Sequence, residues 1–264
     1  MGESSTKELA AERQARLREL LHERRVVRVE EFASELAVSA ATVRRDLAAL
    51  ESAGGLKRVH GGAVATAETL LADEPLFDDK AERAALQKRR IADAALELLP
   101  QGHTTLFLDG GSTVLALALL LMRQARHTVV TNSLRVAQTL AASGPQVIVS
   151  GGELRRLSQT FVGPQTRHVI ERLSFDIAFI GTLGVTADDG LTTTDPDEAY
   201  TKELAIKRAR RVVLLADATK VGAVSTVRFA PLSSVNTFVT DTSVPQRSLA
   251  ALREAYPALQ ILTV

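Results

Sequence analysis

Val38-Ser39-Ala40-Ala41-Thr42-Val43-Arg44-Arg45-Asp46-Leu47 is the stretch on which the reading of this chain turns. A helix starting after Ser39 is expected. The Ser39 hydroxyl can cap it by accepting a hydrogen bond from the amide of Ala41 or Thr42. Val43, Leu47 and Leu50 then fall at i, i+4 and i+7 and form one apolar stripe. Ala40, Ala41, Thr42, Arg44 and Arg45 are left to face outward. Small residues at a helix start let it approach a flat surface closely. Adjacent arginines can reach phosphate oxygens or the O6/N7 edge of guanine. The stretch therefore fits a helix lying in a DNA major groove. By itself it fits an ordinary surface helix with solvated arginines equally well.

The neighbouring residues shift that balance. Residues 7–24 are rich in Ala, Glu, Arg and Leu and predict a helix with Leu17, Leu20 and Leu21 toward a core. Alternation around Val27 and Val29 suggests a very short strand. Residues 30–36 predict a second helix with Phe32, Ala33 and Leu36 on one face, and Ala37-Val38 a tight turn. Two short helices joined this way match helix-turn-helix geometry. After Leu50, the pairs Gly54-Gly55 and Gly61-Gly62 bracket the β-prone run of residues 56–60, which reads as a hairpin wing. Lys57, Arg58 and His60 would meet a DNA backbone there, fixing position without reading sequence.

A length of 264 residues suggests two domains, and 45% hydrophobic with 24% charged residues indicates a globular chain. The net charge of +1 is silent about partners, because a basic surface can hide in a balanced total. Absence of cysteine excludes disulfides, thiolate zinc sites and cysteine nucleophiles, and suits a reducing compartment. The N-terminus is polar, and the longest apolar run, residues 114–122, is far short of the ~20 residues that span a bilayer. A soluble, cytoplasmic chain without membrane partner, cofactor or metal is expected.

Residues 66–80, with Pro75, read as a linker with a possible strand near Leu76-Phe77. Residues 81–99 predict one long helix. Its Lys88-Arg89-Arg90 triplet reads as a solvated face or domain contact in preference to a DNA contact. From there strands and helices alternate. Strands are expected at 104–108, 128–131, 147–149, 177–180, 212–216, 237–240 and 261–264, and helices at 114–122, 134–142, 166–172 and 197–209. This pattern indicates an α/β domain with a mostly parallel sheet covered on both faces. Ligands of such sheets bind where strands end. Asp109-Gly110-Gly111-Ser112-Thr113 follows one strand and opens a helix, a plausible anion cradle that lacks the Walker pattern. Thr131-Asn132-Ser133, Ser150-Gly151-Gly152, Gly181-Thr182-Leu183-Gly184, and Asp217 with Lys220 end others. Glu198 and Lys202 lie at i and i+4. Each alone reads equally as a turn or a surface ion pair; together they favour a site.

These residues carry a family resemblance. Thr42-Val43-Arg44-Arg45-Asp46-Leu47, Leu50-Glu51 and Arg58-Val59-His60-Gly61-Gly62-Ala63 resemble the DNA-binding domain of the DeoR family of bacterial regulators. Ala37 departs from the glycine often found there. Asp109-Gly110-Gly111-Ser112-Thr113, Thr131-Asn132-Ser133, Gly151-Gly152, Phe161-Val162-Gly163-Pro164, Gly190-Leu191-Thr192-Thr193, Glu198-Ala199 with Lys202, and Leu215-Ala216-Asp217 with Lys220 resemble the DeoR C-terminal sensor domain. The resemblance spans about residues 7–241. It implies a winged helix-turn-helix over 7–64, a linker over 65–80, a sensor domain over 81–241, and a helix and strand over 242–264 completing it. The sensor is similar in fold to ribose-5-phosphate isomerase. A phosphorylated sugar would then be the effector, with Gly110, Gly111, Ser112 and Thr113 on its phosphate. Asp109, Thr131, Asn132, Ser133, Gly152, Glu198, Lys202, Asp217 and Lys220 would surround the sugar. The implied function is a transcriptional regulator, a repressor binding a double-stranded DNA operator as a homodimer or homotetramer. The alternative is a sugar-phosphate isomerase-like enzyme fused to a DNA-binding domain. Its base would be Glu198, Asp109 or Asp217, and its electrophile Lys202 or Lys220. Fold likeness alone does not carry that activity. A third reading leaves the larger domain to oligomerisation only.

Overall fold

A computed structural model of the protein describes residues 13, 14, 16, 17, 20, 26–36, 38–52, 56–59, 61–64 and 77–264. The chain divides into two compact units, residues 1–73 and 74–264.

In the first unit Arg13, Gln14, Arg16, Leu17 and Leu20 are helical. The rest of the helix expected over 7–24 lies outside the described residues, as do Ala37, Gly54, Gly55 and His60. Strand β1 (Val26–Arg28) leads directly into α1 (Val29–Glu35), and α2 covers Ala40–Ser52. Val29 was expected in the strand. It instead opens the helix, where its side chain is buried and its amide donates to Gly61 O at 2.8 Å. Ser39 caps α2 by accepting from the Thr42 amide at 3.1 Å. Strands β2 (Lys57–Val59) and β3 (Gly62–Val64) form the hairpin, and Gly61, at φ +82°, lies between them. β1 pairs on the other side of β3, giving the antiparallel order β1-β3-β2. Leu17, Leu20, Val29, Phe32, Val43, Leu47, Leu50, Leu56 and Ala63 form the core, so the apolar stripe of α2 faces inward as its spacing requires.

Asp46 sits inside the Arg-Arg-Asp-Leu run yet is 4% exposed. Arg13 grips it with Nε at 2.5 Å and Nη2 at 3.1 Å, and Gln14 adds a bond of 3.4 Å. This ion pair ties the helical segment around Arg13 to α2. The hydrogen bond to Asp46 raises the pKa of Arg13.

In the second unit α3 (Phe77–Glu82) and α4 (Ala85–Glu97) precede the sheet. The single helix expected over 81–99 is thus two, broken at Ala84 with a left-handed backbone of φ 53° and ψ 37°. Phe77, expected in a linker or strand, begins α3 because its ring is buried beneath the Arg135 guanidinium at 5.5 Å. Then follow β4 (Thr105–Leu108), α5 (Ser112–Leu121), β5 (Thr128–Thr131), α6 (Leu134–Leu140) and β6 (Gln146–Val149). A hairpin, β7 (Glu153–Arg155) and β8 (Thr160–Val162), leads to α7 (Pro164–Glu171) and β9 (Phe175–Ile180). Next come β10 (Gly184–Thr186), β11 (Gly190–Thr193), α8 (Pro196–Arg208) and β12 (Ala209–Leu215). The last elements are β13 (Val227–Ala230), β14 (Thr237–Thr240), α9 (Gln246–Ala255) and β15 (Gln260–Thr263).

Seven strands form one sheet in the order β15-β14-β12-β9-β4-β5-β6, and every pairing within it is parallel. Alternate strand residues feed two separate cores. Phe107, Val130, Phe175, Ala178, Ile180 and Leu214 pack with buried residues of α7, α8 and α9. Leu106, Leu108, Val129, Ile177, Phe179 and Val213 pack with those of α4, α5 and α6. That period of two, with helices over both faces, is the doubly wound architecture expected from the sequence. The chain runs from β4 outward to β6, returns to β9 beside β4, and then proceeds to β15. The order therefore reverses between β4 and β9, and a crevice opens beyond their carboxyl ends. β10, β11 and β13 form a small antiparallel sheet of their own. Among the described residues no helix is long and apolar enough to cross a membrane.

The Arg13–Asp46 pair gives a test of what holds the first unit together. Removing one partner of a buried pair costs about 3–5 kcal/mol because the other charge is left stranded. Arg13 retains 20% side-chain exposure, which places Asp46→Ala near the lower end. Thermal unfolding of the full chain, followed by helical circular dichroism, should show the first unit melting early. An unchanged transition would mean that the pair contributes nothing.

Candidate functional site

On the first unit Ser39, Ala41, Arg44 and Arg45 are exposed, while Ala40 and Thr42 are half-buried. The cations of α2 thus point away from its packed stripe. Lys57 and Arg58 of the wing are also exposed. Arg58 is tied to Glu51: its amide donates to Oε1 at 2.8 Å and its Nε lies 3.3 Å from Oε2. A phosphate would therefore compete with an exposed carboxylate for Arg58, whereas among the described residues Arg44, Arg45 and Lys57 make no ion pair. His60 lies outside the described residues.

In the second unit a cavity of about 170 Å³ opens beyond the ends of β4, β9 and β12, at the point of strand reversal. Its walls include Gly110, Gly111, Ser112, Thr113, Glu198, Lys202, Asp217 and Lys220, eight of the expected effector residues. Residues 110–113 bring the first turn of α5 to the cavity, and the orphan amides of a helix start favour an anion. A side chain at Gly110 would displace its neighbour: a Cβ there would meet Thr160 Cγ2 at 2.1 Å. Gly111 holds φ +126°, a backbone that suits glycine, at the N-cap of α5.

Asp109 lies just beneath, 1% exposed and outside the cavity wall. It accepts from Lys202 Nζ and from the Gly181 amide at 3.0 Å. Lys202 also donates to Gly181 O at 3.2 Å and lies 5.6 Å from the Phe229 ring centre. Glu198 accepts from Thr160 Oγ1 at 2.7 Å and from Arg155 Nη1 at 3.5 Å. Asp217 accepts from the Thr219 amide at 3.0 Å and from the Thr219 hydroxyl. The i,i+4 spacing of Glu198 and Lys202 is therefore not a surface ion pair. Both are buried, each with partners from other elements.

Four expected contacts stand away from the cavity. Thr131 is fully buried, donating to Leu108 O at 2.6 Å and accepting the Ser133 amide at 3.0 Å. Ser133 caps α6 through the Val136 amide at 3.3 Å. Asn132 joins β8: its carbonyl accepts the Phe161 amide at 2.7 Å and its Nδ2 donates to Phe161 O at 3.4 Å. Gly152 holds φ +115° with no room for a Cβ, which would meet Thr166 Oγ1 at 2.2 Å. These four build the frame around the end of β5. Thr131 and Ser133 spend their hydroxyls on backbone groups, whereas the buried Asn132 Oδ1 has no partner among the described residues.

The cavity also takes residues that sequence reasoning did not select, Lys80, Arg83, Lys88, Ser158, Thr160 and Thr219, besides Thr182 and Thr193 of the strand-end motifs. Lys88 was expected on a solvated face. It is 5% exposed, with its ammonium on Lys80 O and, at 2.5 Å, on Arg83 O. A signal for this was present, since Lys88, Ile91, Ala92 and Ala95 share the spacing of one buried helical stripe. Burial lowers the Lys88 pKa; Asp217 opposes this, while Lys220, Lys80 and Arg83 add to it. Ser158 and Thr160 arrive on the β7–β8 hairpin, whose residues carry no strong strand pattern.

Residues 83–242 match the DeoR C terminal sensor domain, and residues 13–69 match the DeoR-like helix-turn-helix domain. The chain is 38% identical over 247 residues to the HTH-type transcriptional regulator GlpR of Haloferax volcanii, covering 94% of this chain and 96% of that one. It is 32% identical over 244 residues to the glycerol-3-phosphate regulon repressor of Escherichia coli K12, covering 92% and 95%. Ribose 5-phosphate isomerase A of Methanocaldococcus jannaschii aligns over 50% of this chain and 52% of its own, with a TM-score of 0.38 and 17% identity.

The contact between Gly110 and Thr160 is testable by complementary substitution. Gly110→Ala should cost about 1–3 kcal/mol through overpacking. Adding Thr160→Ser removes the obstructing methyl and keeps the hydroxyl on Glu198, so most of the loss should return. Urea denaturation of the single and double variants measures this. A double variant no more stable than Gly110→Ala would refute the packing account.

Proposed function

This chain belongs to the DeoR family of transcriptional regulators, and from that premise we propose a specific division of labour. The winged helix-turn-helix holds a double-stranded operator of a sugar or sugar-phosphate operon, and a phosphorylated sugar or polyol in the strand-end cavity releases it. The observation that carries this reading is the convergence of residues 110–113, Glu198, Lys202, Asp217 and Lys220 on one small cavity at the strand reversal. A phosphate needs amides and cations, which the α5 start and the lysines supply. Sugar hydroxyls need both donors and acceptors, which Glu198, Ser158, Thr160 and Thr193 supply.

Binding without turnover is the reading that the regulator relatives favour. A general base must present a lone pair to the substrate. Asp109 is held by Lys202 and a backbone amide, Glu198 by Thr160 and Arg155, and Asp217 by Thr219. In each case these bonds fall on one oxygen, Asp109 Oδ2, Glu198 Oε1 and Asp217 Oδ1.

Effector control requires different affinities for the operator-bound and free states, since only that difference shifts the population. Two-fold symmetric operators are matched by two-fold symmetric proteins, so a homodimer or homotetramer is the working assembly. Two measurements test the reading. Operator binding, followed by fluorescence anisotropy with a panel of sugar and polyol phosphates, should weaken with at least one of them. A panel without effect on either DNA affinity or melting temperature would overturn effector control. Arg44→Ala should weaken operator binding by about 1–3 kcal/mol and flatten the preference over random DNA if Arg44 reads a base. An equal loss on both DNAs would assign Arg44 to phosphate.

Gly111→Glu probes the cradle directly. No atom lies within 4 Å of a Cβ at Gly111, so the carboxylate has room to occupy the anion position. The positive φ adds strain of about 1–2 kcal/mol. The variant should bind operator as the native chain does and ignore the effector. Release at the native effector concentration would show that residues 110–113 do not hold the phosphate.

A further inference from the structure

The run from Val114 to Met122, which makes up most of α5 and its C-cap, carries no polar side chain. Val114, Leu117, Ala118 and Leu121 recur at i, i+3, i+4 and i+7 and are buried, as one face of a helix covering a sheet must be. The other face should be polar where it meets water. Here it is Leu115, Ala116, Leu119, Leu120 and Met122, four of them only half-buried and Leu119 55% exposed. Helices on the opposite side of the sheet follow the rule. α7 turns Gln165, His168 and Glu171 outward, and α9 turns Arg247, Arg253 and Glu254. A helix that is apolar all round belongs in an interior, so the outward face of α5 calls for a cover.

The charges on α4, which packs beside α5, say what the cover is. Leu86, Arg90, Asp93 and Glu97 fall at i, i+4, i+7 and i+11 and form the outward stripe of α4, with Arg89 alongside. All five are exposed, Leu86 at 75%. Among the described residues none of the four charged groups makes an ion pair. Both cations lie in the first half of α4 and both anions in the second, so the stripe is complementary to itself read backwards. α4 and α5 start side by side, because Lys80 O accepts from Lys88 in the first turn of α4 and from Ser112, the first residue of α5. They also run the same way, one entering β4 and the other leaving it on the same side of the sheet. A two-fold axis lying across both helices at mid-length therefore stacks each on its own copy, antiparallel. Leu119 then meets the apolar face of the second α5, and Arg89 and Arg90 meet the Asp93–Glu97 half of the second α4.

We propose that the outward face of α4 and α5 is an isologous interface with a second copy of this chain, with α5 as its apolar core and α4 as its charged flank. This rests on the homo-oligomer of the reading above and names its surface. Because α5 begins at residues 110–113, the interface and the cavity share one helix.

Sedimentation velocity of the full chain over a range of concentrations tests this. The native chain should sediment as a homodimer or homotetramer. Leu119→Glu leaves the free chain's core untouched and places a charge in the apolar contact, so it should halve the mass and raise the dissociation constant about a hundredfold. Arg90→Glu sets like charges against each other across the axis and should weaken association about tenfold. Adding Glu97→Arg to it makes the stripe self-complementary again and should restore the native constant. Unchanged association of Leu119→Glu would overturn the interface and leave the homo-oligomer standing on another surface. A double variant no tighter than Arg90→Glu would overturn the antiparallel pairing on which the choice of a second copy depends. A native chain that stays monomeric at every concentration would remove the homo-oligomer and the interface together. Should circular dichroism show that Leu119→Glu does not fold, Leu119→Ser and the charge variants decide in its place.

Discussion

The buried pair between Asp109 and Lys202 is the constraint around which the second unit is arranged. Asp109 ends β4, Lys202 stands on α8, and both bond to Gly181 at the end of β9. Burying two charges costs several kcal/mol per ion unless geometry and further hydrogen bonds offset it. The Gly181 amide and carbonyl provide those bonds, one to each partner. Gly181 is also hemmed in, since a Cβ there would lie 3.2 Å from Gly110 O. Strand reversal leaves a crevice beyond the carboxyl ends of β4 and β9, and this cluster closes its floor. Every other cavity residue is placed relative to it.

With the floor neutralised, the cavity acquires a polarity. On the α8 and hairpin side, Glu198 takes up the Thr160 hydroxyl and the Arg155 guanidinium, so that wall is satisfied within itself. On another side Lys80, Arg83, Lys88 and Lys220 gather with Asp217; burial lowers the Lys88 pKa, and Lys220, Lys80 and Arg83 add to it. A helix start with cations beside it favours an anion. Asp109, Glu198 and Asp217 each accept hydrogen bonds from protein donors around this cavity.

Much of this was legible in the chain. The alternation of short apolar strands with helices sufficed for the parallel sheet, because strands buried on both faces must be apolar along their length. The glycine and hydroxyl runs after Leu108 and the Asp217–Lys220 pair marked strand ends correctly. Lys88 was misread, although its place in the stripe with Ile91 and Ala95 was a signal. Thr131, Ser133 and Gly152 have the composition of site residues and serve the frame. Which partner consumes a hydroxyl depends on strands far away in sequence.

In the first unit the sequence by itself determined the essentials. Cap, stripe and glycine-bracketed wing are local devices, set by helical periodicity and backbone sterics within a few residues. The order of the parallel strands, the break at Ala84, the pairing of Asp109 with Lys202 and the burial of Lys88 were decided only by the tertiary structure. These rest on contacts between residues such as Asp109 and Lys202, 93 positions apart. Their energies come from desolvation and from the number of donors that converge at one point, and no periodicity along the chain records either.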